Sequence, residues 1–288
     1  MPDFFDLMWL WRKQILLLVL TTFIITTAVV FLIPKRYLSV ATALPASSYA
    51  TDKGSVFSQN LQNLYSTIGL PDDLDKIVGT AHLDTVYRSV IAQLDLTDHF
   101  GLGKADPNAI AKAGLILKKH TRVIKSDYGE LKVKVWDVDR DLAANLANAI
   151  IEKLQQIHQD VQTMNNSTML VKINEEYLKK KIDYERLTDS IQHAGTTPTA
   201  DLLNAQKSSL LQEVQEYQTL LNQYKLMVDA RPQALVIIER ATPAVAPDQP
   251  RPLQAIIGAT VLSFFFGVLT ALALNKRKQQ QFERASTT

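Results

Sequence analysis

The 288-residue chain contains no cysteine, which excludes disulfide bonds, a thiol nucleophile and a thiolate metal site. The histidines are scattered along the chain, and none stands at metal-ligand spacing from another; they are His82, His99, His120, His158 and His193. Paired carboxylates such as Asp72–Asp73 and Glu175–Glu176 fit a helix start or a solvated helix face, and no serine lies in a Gly-x-Ser-x-Gly turn. We therefore expect no catalytic residue, no cofactor and no metal site.

The chain also lacks a phosphate-binding loop and a basic surface. Gly101–Gly103 precedes Lys104, but position 98 is Asp and position 105 is Ala, where such a loop needs Gly and Ser or Thr. Residues 37–250 hold 22 of the 31 Lys and Arg and 26 of the 29 Asp and Glu, a formal charge near −4. Nucleic-acid surfaces instead show clustered cations, so we expect no nucleic-acid partner.

Two apolar runs bracket the chain. They cover Ile15–Ile33 and Leu253–Leu274, carry no charge, and are 19 and 22 residues long, close to the ~20 residues that cross a bilayer as a helix. The alternatives are buried core helices or, for the first run, a signal peptide. The first run exceeds the ~7–15 apolar residues of a signal peptide, and no small-x-small cleavage site follows it. We predict transmembrane helices at 15–33 and 253–274, with the lipid bilayer as a partner.

The flanking cations predict the orientation of these helices. Basic residues adjoin the outer ends of both runs, namely Arg12, Lys13, Lys276, Arg277, Lys278 and Arg284. Lys35, Arg36 and Arg251 lie at the inner ends and reduce the contrast. Because basic flanks stay in the cytoplasm, residues 1–14 and the tail 275–288 are predicted to be cytoplasmic. The two helices would then anchor the protein in the inner (cytoplasmic) membrane of a bacterium. The middle of the chain would be periplasmic or otherwise extracytoplasmic.

Residues 34–138 read as the first part of an α/β base domain. Tyr37–Leu44 alternates like a strand, and His120–Lys125 with Leu131–Trp136 reads as a hairpin. Between them the sequence predicts a loop and four helical stretches, at Pro45–Ser55, Gln59–Ile68, from Pro71, Thr80–Leu94 and Asp106–Lys119. In the stretch Thr80–Leu94, Leu83, Val86, Val90, Ile91 and Leu94 follow helical spacing.

Residues 139–229 predict a long helix and a returning helix that form a protruding hairpin. Asp139–Ala194 contains no Pro or Gly and would extend ~84 Å as one helix. Its first part has a small apolar stripe suited to a sheet, made of Leu142, Ala143, Leu146, Ala147, Ile150, Ile151 and Leu154. Two further stripes have heptad-like spacing, at Leu170, Ile173, Tyr177, Tyr184, Leu187 and Ile191, and at Leu203, Leu210, Val214, Tyr217, Leu221, Tyr224 and Val228. A turn at Gly195–Thr199 joins them, which favours an antiparallel pair.

Residues 230–252 comprise a returning strand, Ala234–Arg240, and a proline-rich segment, Ala241–Pro252. The prolines of this segment are Pro243, Pro247, Pro250 and Pro252. They should keep the segment extended and stiff. The segment is either a spacer between base and bilayer or a coupling element that meets a polymerase or a neighbouring protomer. We favour a spacer that also contacts a subunit, without a binding pocket.

The second apolar run contains small residues, among them Gly258, Ser263 and Gly267. Small side chains allow close approach of helices in lipid, although simple exposure to lipid is equally compatible with them. The whole pattern predicts an α+β membrane-anchored fold. Two transmembrane helices flank an extracytoplasmic base domain, which has a small mixed sheet and a long protruding helical hairpin.

In its order of parts the chain resembles the polysaccharide co-polymerases, also called chain-length determinant proteins. The resemblance spans nearly the whole chain and is carried by Tyr37–Leu44 after the first run, Val133–Asp139 leading into Asp141–Ile150, Leu235–Pro243, and Pro247–Pro252 before the second run. Glycines recur in the family's second span, as Gly258 and Gly267 do here. The Ser-Pro-Lys of enterobacterial members is replaced by Arg251-Pro252-Leu253, which favours an exopolysaccharide or capsule branch over the O-antigen regulators.

The resemblance implies a kinase-free, non-enzymatic regulator of surface polysaccharide chain length. Copies would assemble as a homo-oligomer around an axis and act with a membrane-embedded polysaccharide polymerase on a lipid-linked glycan. An alternative is a periplasmic adaptor component of an exporter, although such adaptors have one span and half-lipoyl motifs on both sides of the hairpin. A receptor ectodomain without its signalling part is a third interpretation, which the short tail disfavours.

Overall fold

A computed structural model of the protein describes residues 9, 11–46, 71–103, 106–194 and 198–286. The predicted helix Gln59–Ile68, most of the loop Pro45–Ser55 and most of the turn Gly195–Thr199 lie outside the described residues. The elements in chain order are α1 (Arg12–Leu32), β1 (Tyr37–Pro45), α2 (Pro71–Ala81), α3 (Asp84–Leu94), α4 (Ala109–Lys119), β2 (Thr121–Lys125), β3 (Leu131–Asp137), α5 (Arg140–Ala194), α6 (Pro198–Ala230), β4 (Leu235–Glu239) and α7 (Pro252–Ser286).

The chain divides into two compact units. The first contains the described residues up to Leu38, Trp136–Ala143 and the described residues from Pro243 onward. In the described part of the chain, Arg12–Leu32 and Pro252–Asn275 are the two helices that are long and apolar enough to cross a membrane. Trp11, Ile15 and Ala271 form a buried cluster between these helices. The predicted α+β fold with apolar terminal helices is confirmed.

The second unit, Ser39–Val135 and Ala144–Thr242, is built on a four-stranded sheet in the order β2-β3-β1-β4. β2 pairs antiparallel with β3, and β1 pairs antiparallel with β4, with Ala43 opposite Ile237. The predicted alternation in β3 is confirmed, because Leu131, Val133 and Val135 are fully buried while Lys132 and Lys134 are only half-buried. One face of β3 therefore contributes to the core, whereas β1 buries consecutive residues on both faces.

The prediction of one helix over Thr80–Leu94 is wrong at His82 and Leu83. The chain breaks there into α2 and α3, and Leu83 is extended and 54% exposed although the apolar pattern included it. Two side chains, one in the following helix and one distant in sequence, hydrogen-bond to the carbonyls at this break. Tyr87 donates its hydroxyl to the Ala81 carbonyl at 2.7 Å, and Lys118 donates to the His82 carbonyl at 2.6 Å.

Helix α5 runs unbroken for 55 residues, as predicted from its lack of Pro and Gly. Its start is capped by Asp139, whose carboxylate accepts the backbone N–H of Asp141 at 2.9 Å. The first apolar stripe is buried except at Leu142, which is half-buried. The buried members are Ala143, Leu146, Ala147, Ile150, Ile151 and Leu154. The first four turns of α5 are thus part of the core.

Helices α5 and α6 form the predicted antiparallel hairpin. Contacts between them run in opposite chain directions: the Gln159 side chain donates to the Arg231 carbonyl, and Lys180 pairs with Glu213 at 2.5 Å. The hydrogen bond and charge of Glu213 raise the pKa of Lys180. The predicted hairpin stripe faces inward, but Ile173 alone among its α5 positions is buried, at 8% exposure. The pair is therefore held by a thin seam rather than by a core.

Candidate functional site

The proline-rich segment, Ala241–Pro252, is the candidate site, because its sequence predicts a spacer or a coupling element before the second apolar helix. The structure leaves residues 240–248 outside any helix or strand, and Pro252 is the first residue of α7, where a missing N–H has no cost. Pro243, Pro247 and Pro252 are exposed and Pro250 is half-buried. The segment is fixed at two points, which lie before and after its most exposed residues.

The first fixed point is Ala241, which Asn148 of α5 holds through both of its amide atoms. Asn148 donates Nδ2–H to the Ala241 carbonyl at 3.0 Å and accepts the Ala241 N–H on Oδ1 at 2.8 Å. Ser39 Oγ donates to the Thr242 carbonyl at 3.0 Å. The Asn148 amide thus replaces the backbone partner that the chain loses where β4 ends, and both polar groups of the buried Ala241 are satisfied.

The second fixed point is Asp248, where three parts of the chain meet. Trp136 at the end of β3 donates its indole N–H to Oδ2 at 2.9 Å, and Arg251 donates to Oδ1 at 2.8 Å. The Asp248 N–H donates to the Arg36 carbonyl at 2.9 Å, and the Arg36 N–H donates to the Gln249 carbonyl at 2.9 Å. Bonds to a carboxylate are stronger than neutral ones, each contributing roughly 1.5–3 kcal/mol. The residues that follow α1 are therefore fastened to those that precede α7.

Between the two fixed points the chain is exposed except at Ala244, which is half-buried. Val245 has 98% of its surface accessible, more than any other large apolar residue described. An apolar side chain held out by prolines and fixed ends loses little conformational entropy when it binds something. This middle part is therefore a candidate contact, whereas its ends are structural.

The small residues of the second apolar run do not share one environment. Gly267 lies against Ile15 of α1, where an added Cβ would come within 3.3 Å of the Ile15 side chain. Ser263 is buried and donates its hydroxyl to the Thr260 carbonyl at 2.8 Å. Gly258 is exposed, and a Cβ there would meet nothing within 4 Å. The structure thus brings Gly267, but not Gly258, to the contact between α1 and α7.

Sequence reasoning missed Asn148, Trp136, Asp248 and Ser39. Asn148 had a detectable signal, because it is a polar residue beside the apolar stripe of α5 and directly follows Ala147. A polar side chain at such a position needs a partner. The partner of Trp136 could not be predicted, since Asp248 is 112 residues away.

The hydrogen bonds at Ala241 and Asp248 hold the backbone of the segment in place. No group of three or more His, Asp or Glu side chains in the described ranges is arranged to hold a metal ion. A shallow depression on α6 is lined by Gln212, Gln215, Glu216, Thr219, Leu220 and Gln223. The site can therefore position and bind, by hydrogen bonding and apolar contact.

No protein-family model and no curated protein sequence matches the chain. Among solved structures it is similar to a full-length bacterial polysaccharide co-polymerase, at 14% identity and a TM-score of 0.38, over 97% of this chain and 98% of that one. It is also similar to a fragment of WzzB, a polysaccharide co-polymerase from Salmonella Typhimurium, at 15% identity and a TM-score of 0.29, over 75% and 100%. A mutant of the Shigella flexneri lipopolysaccharide O-antigen chain-length regulator WzzB matches at 13% identity and a TM-score of 0.27, over 74% and 100%. These similarities assign no residue role to this chain.

Proposed function

We propose that the chain is a non-enzymatic regulator of surface polysaccharide chain length that acts with a membrane polymerase. The observation that carries the proposal is the proline-rich segment fastened at Ala241 and Asp248, directly before the second candidate span. The bridge between Arg36, which follows α1, and Gln249, which precedes α7, holds the inner ends of the two helices together. The resemblance in the order of parts, from the first span to the last, supports the same function.

The chain sits in the bacterial inner membrane with both ends in the cytoplasm. The two candidate spans and the cations outside them support this topology, because basic flanks are retained in the cytoplasm. Residues 34–252 are then periplasmic, or extracytoplasmic in a cell without a periplasm. A reporter enzyme that is active only outside the cytoplasm should be active when it is fused at residue 150. Activity at that position of a reporter that works only in the cytoplasm would overturn the topology.

Several copies stand side by side as a homo-oligomer and present their hairpins to a growing lipid-linked glycan. The oligomer sets the number of repeat units that the polymerase adds, and the chain itself makes or breaks no bond. The exposed Val245 between the two fixed points supports a contact with a neighbouring subunit in addition to a spacer role.

The decisive experiment is a gel of surface glycan from a strain that lacks this chain. We expect an altered length distribution, restored by the wild-type chain but not by a Pro250→Ala/Pro252→Ala variant present at the same level. A Pro107→Ala variant is the matched control, since Pro107 is exposed and lies outside the proline-rich segment. Normal lengths with blocked secretion would instead identify an exporter adaptor, and an unchanged ladder in the deletion strain would refute both functions.

A further inference from the structure

The turn from β3 into α5 lies close to the ends of both apolar helices. Its residues, Trp136–Ala143, belong to the same compact unit as these helices. Trp136 donates to Asp248, four residues before α7 begins, and the Asp248 N–H donates to the carbonyl of Arg36, four residues after α1 ends. Four residues reach at most ~14 Å. Two separate stretches of chain therefore hold Trp136 near the level at which the helices would leave the hydrocarbon.

The outer face of β3 becomes less polar along the strand towards this turn. The side chains that alternate with its buried ones are Lys132, Lys134 and Trp136, and Val138 follows directly after the strand. The two lysines come first, the indole with its N–H bonded comes next, and the last side chain is a valine that is 50% exposed. Membrane proteins show the same order from water to lipid, with tryptophan enriched at the interface.

The surface around this turn carries as many cations as carboxylates. Residues 34–38, 136–143 and 243–251 hold four of each. They are Lys35, Arg36, Arg140 and Arg251, with Asp137, Asp139, Asp141 and Asp248. The two signs are interleaved, since Arg251 lies 2.8 Å from Asp248 and Arg140 lies 3.8 Å from Asp141. Such a surface complements zwitterionic phospholipid headgroups, in which a phosphate and an ammonium group lie side by side.

We infer that the turn from β3 into α5 rests in the headgroup layer of the bilayer, with Val138 at the boundary between headgroups and acyl chains. The exposed Lys35 and Arg140 bind lipid phosphates at this level. The inference rests on the proposed function in one respect, that both apolar helices span the membrane. Because the spans tether the turn to the bilayer, one apolar side chain is enough for the contact to form.

This contact changes what the proline-rich segment does. The bond between Trp136 and Asp248 leaves only four residues between the turn and α7. The segment therefore holds the domain on the bilayer rather than at a distance from it. A lipid-linked glycan would then meet the domain at the level of the headgroups.

Quenching by nitroxide lipids tests the depth of Val138 in the full-length protein, because the chain has no natural cysteine. Val138→Cys is labelled with bimane and reconstituted into vesicles of phosphatidylethanolamine and phosphatidylcholine. A small share of the lipid carries the nitroxide on the headgroup, or at a shallow or a deep position of the acyl chain. We expect a roughly twofold loss of emission with the headgroup and shallow nitroxides and a smaller loss with the deep one, since the headgroup layer is only ~5–8 Å thick.

Added phosphatidylglycerol should leave this quenching unchanged, because the surface around the turn has no net charge. Quenching that appears only with the anionic lipid would overturn the assignment to zwitterionic headgroups. Val161→Cys is the matched control for exposure, at 46% against 50% for Val138. Val161 lies ~31 Å along α5 from its start at Arg140, so none of the lipids should quench its label.

A label within the second span separates failure of the inference from failure of the topology. Leu262 is 71% exposed in α7, and the label of Leu262→Cys should be quenched most by the deep nitroxide. An unquenched label at Val138 beside a quenched one at Leu262 would overturn the inference and leave the spans standing. No quenching at either position would overturn both. Normal glycan lengths in the deletion strain would refute the proposed function and leave the lipid contact standing.

A second measurement needs no label, because the chain has three tryptophans. Trp9→Phe together with Trp11→Phe leaves Trp136 as the natural reporter. Its emission should fall with the headgroup nitroxide and change little with the deep one. Equal emission with and without the headgroup nitroxide would contradict the inference.

Discussion

The two halves of α5 have similar backbones and opposite surroundings. Residues 143–154 hold seven apolar side chains that are almost fully buried. From residue 161 of α5 onward, Ile173 alone among the apolar side chains with a described environment is buried. Neither half contains Pro or Gly, so helix propensity does not separate them. The first half is stabilised by the core of its unit. The second half depends on α6 and leaves apolar side chains exposed.

The largest expected difference between the halves comes from truncating one isoleucine in each. Ile150 is 0% exposed and Ile182 is 47% exposed. Ile150→Ala should lower the free energy of unfolding by about 3–4 kcal/mol, since it leaves a cavity in the core. Ile182→Ala should cost less than about 0.5 kcal/mol in a dissociated copy, because the exposed face loses no packing.

Thermal unfolding of the full-length protein in detergent, followed by circular dichroism, measures both changes. Equal losses at the two positions would show that the second half is packed as tightly as the first, and the comparison would fail. A cost for Ile182→Ala that appears only in the assembled protein would indicate that neighbouring copies cover this side chain.

The clamp at Asn148 is expected to have the next largest effect. Asn148→Leu removes both partners of the Ala241 backbone, which is buried, and should cost about 2 kcal/mol. Asn145→Leu is the matched control on the same helix, because Asn145 is exposed. Hydrogen exchange at the Ala241 amide should accelerate strongly in the first variant and stay unchanged in the second. Equal protection in both variants would remove Asn148 from the fixed point.

The buried Tyr87 should make a smaller contribution to the free energy of unfolding, and this contribution depends on pH. Burial, and then the charge of Asp84, raise the pKa of Tyr87 to about 12. The unfolded chain loses this proton near pH 10, so the folded state binds it more tightly. The stabilisation is complete below pH 10 and is lost between pH 10 and 12. It amounts to about 1–2 kcal/mol once solvent screening is allowed for.

Urea titrations from pH 9 to 12 check this dependence against Tyr87→Phe. The variant lacks the titrating group and the hydrogen bond to the Ala81 carbonyl, so it should start lower at pH 9 and fall less on the way to pH 12. Parallel curves for the two proteins would show that the phenol does not carry the effect.

The sequence allowed prediction of those parts of the fold that depend on local pattern. The length of α5, the alternation in β3 and the seam of the hairpin follow from periodicity and from the absence of Pro and Gly. The break at Leu83 and the partner of Asn148 could not be found in this way. Each depends on a partner far along the chain, Lys118 in one case and Ala241 in the other. The prolines of the candidate site were predictable, but the side chains that fix them were not.

The smallest expected effect tests the seam of the hairpin at Lys180. Glu213 raises its pKa, so its charge favours folding below the pKa of the unfolded chain and ceases to do so as the pH rises through the folded value. Both side chains remain partly exposed, and exposed pairs contribute little.

Lys180→Met keeps the apolar stem and should shift the melting temperature by an amount close to the error of the measurement at low salt. The shift should vanish at 1 M salt, where charges are screened beyond ~3 Å. Lys179→Met, whose nearest carboxylate is 3.9 Å away, controls for the change in composition. A large, salt-independent loss for Lys180→Met alone would mean that the hairpin is held by specific polar contacts rather than by its apolar seam.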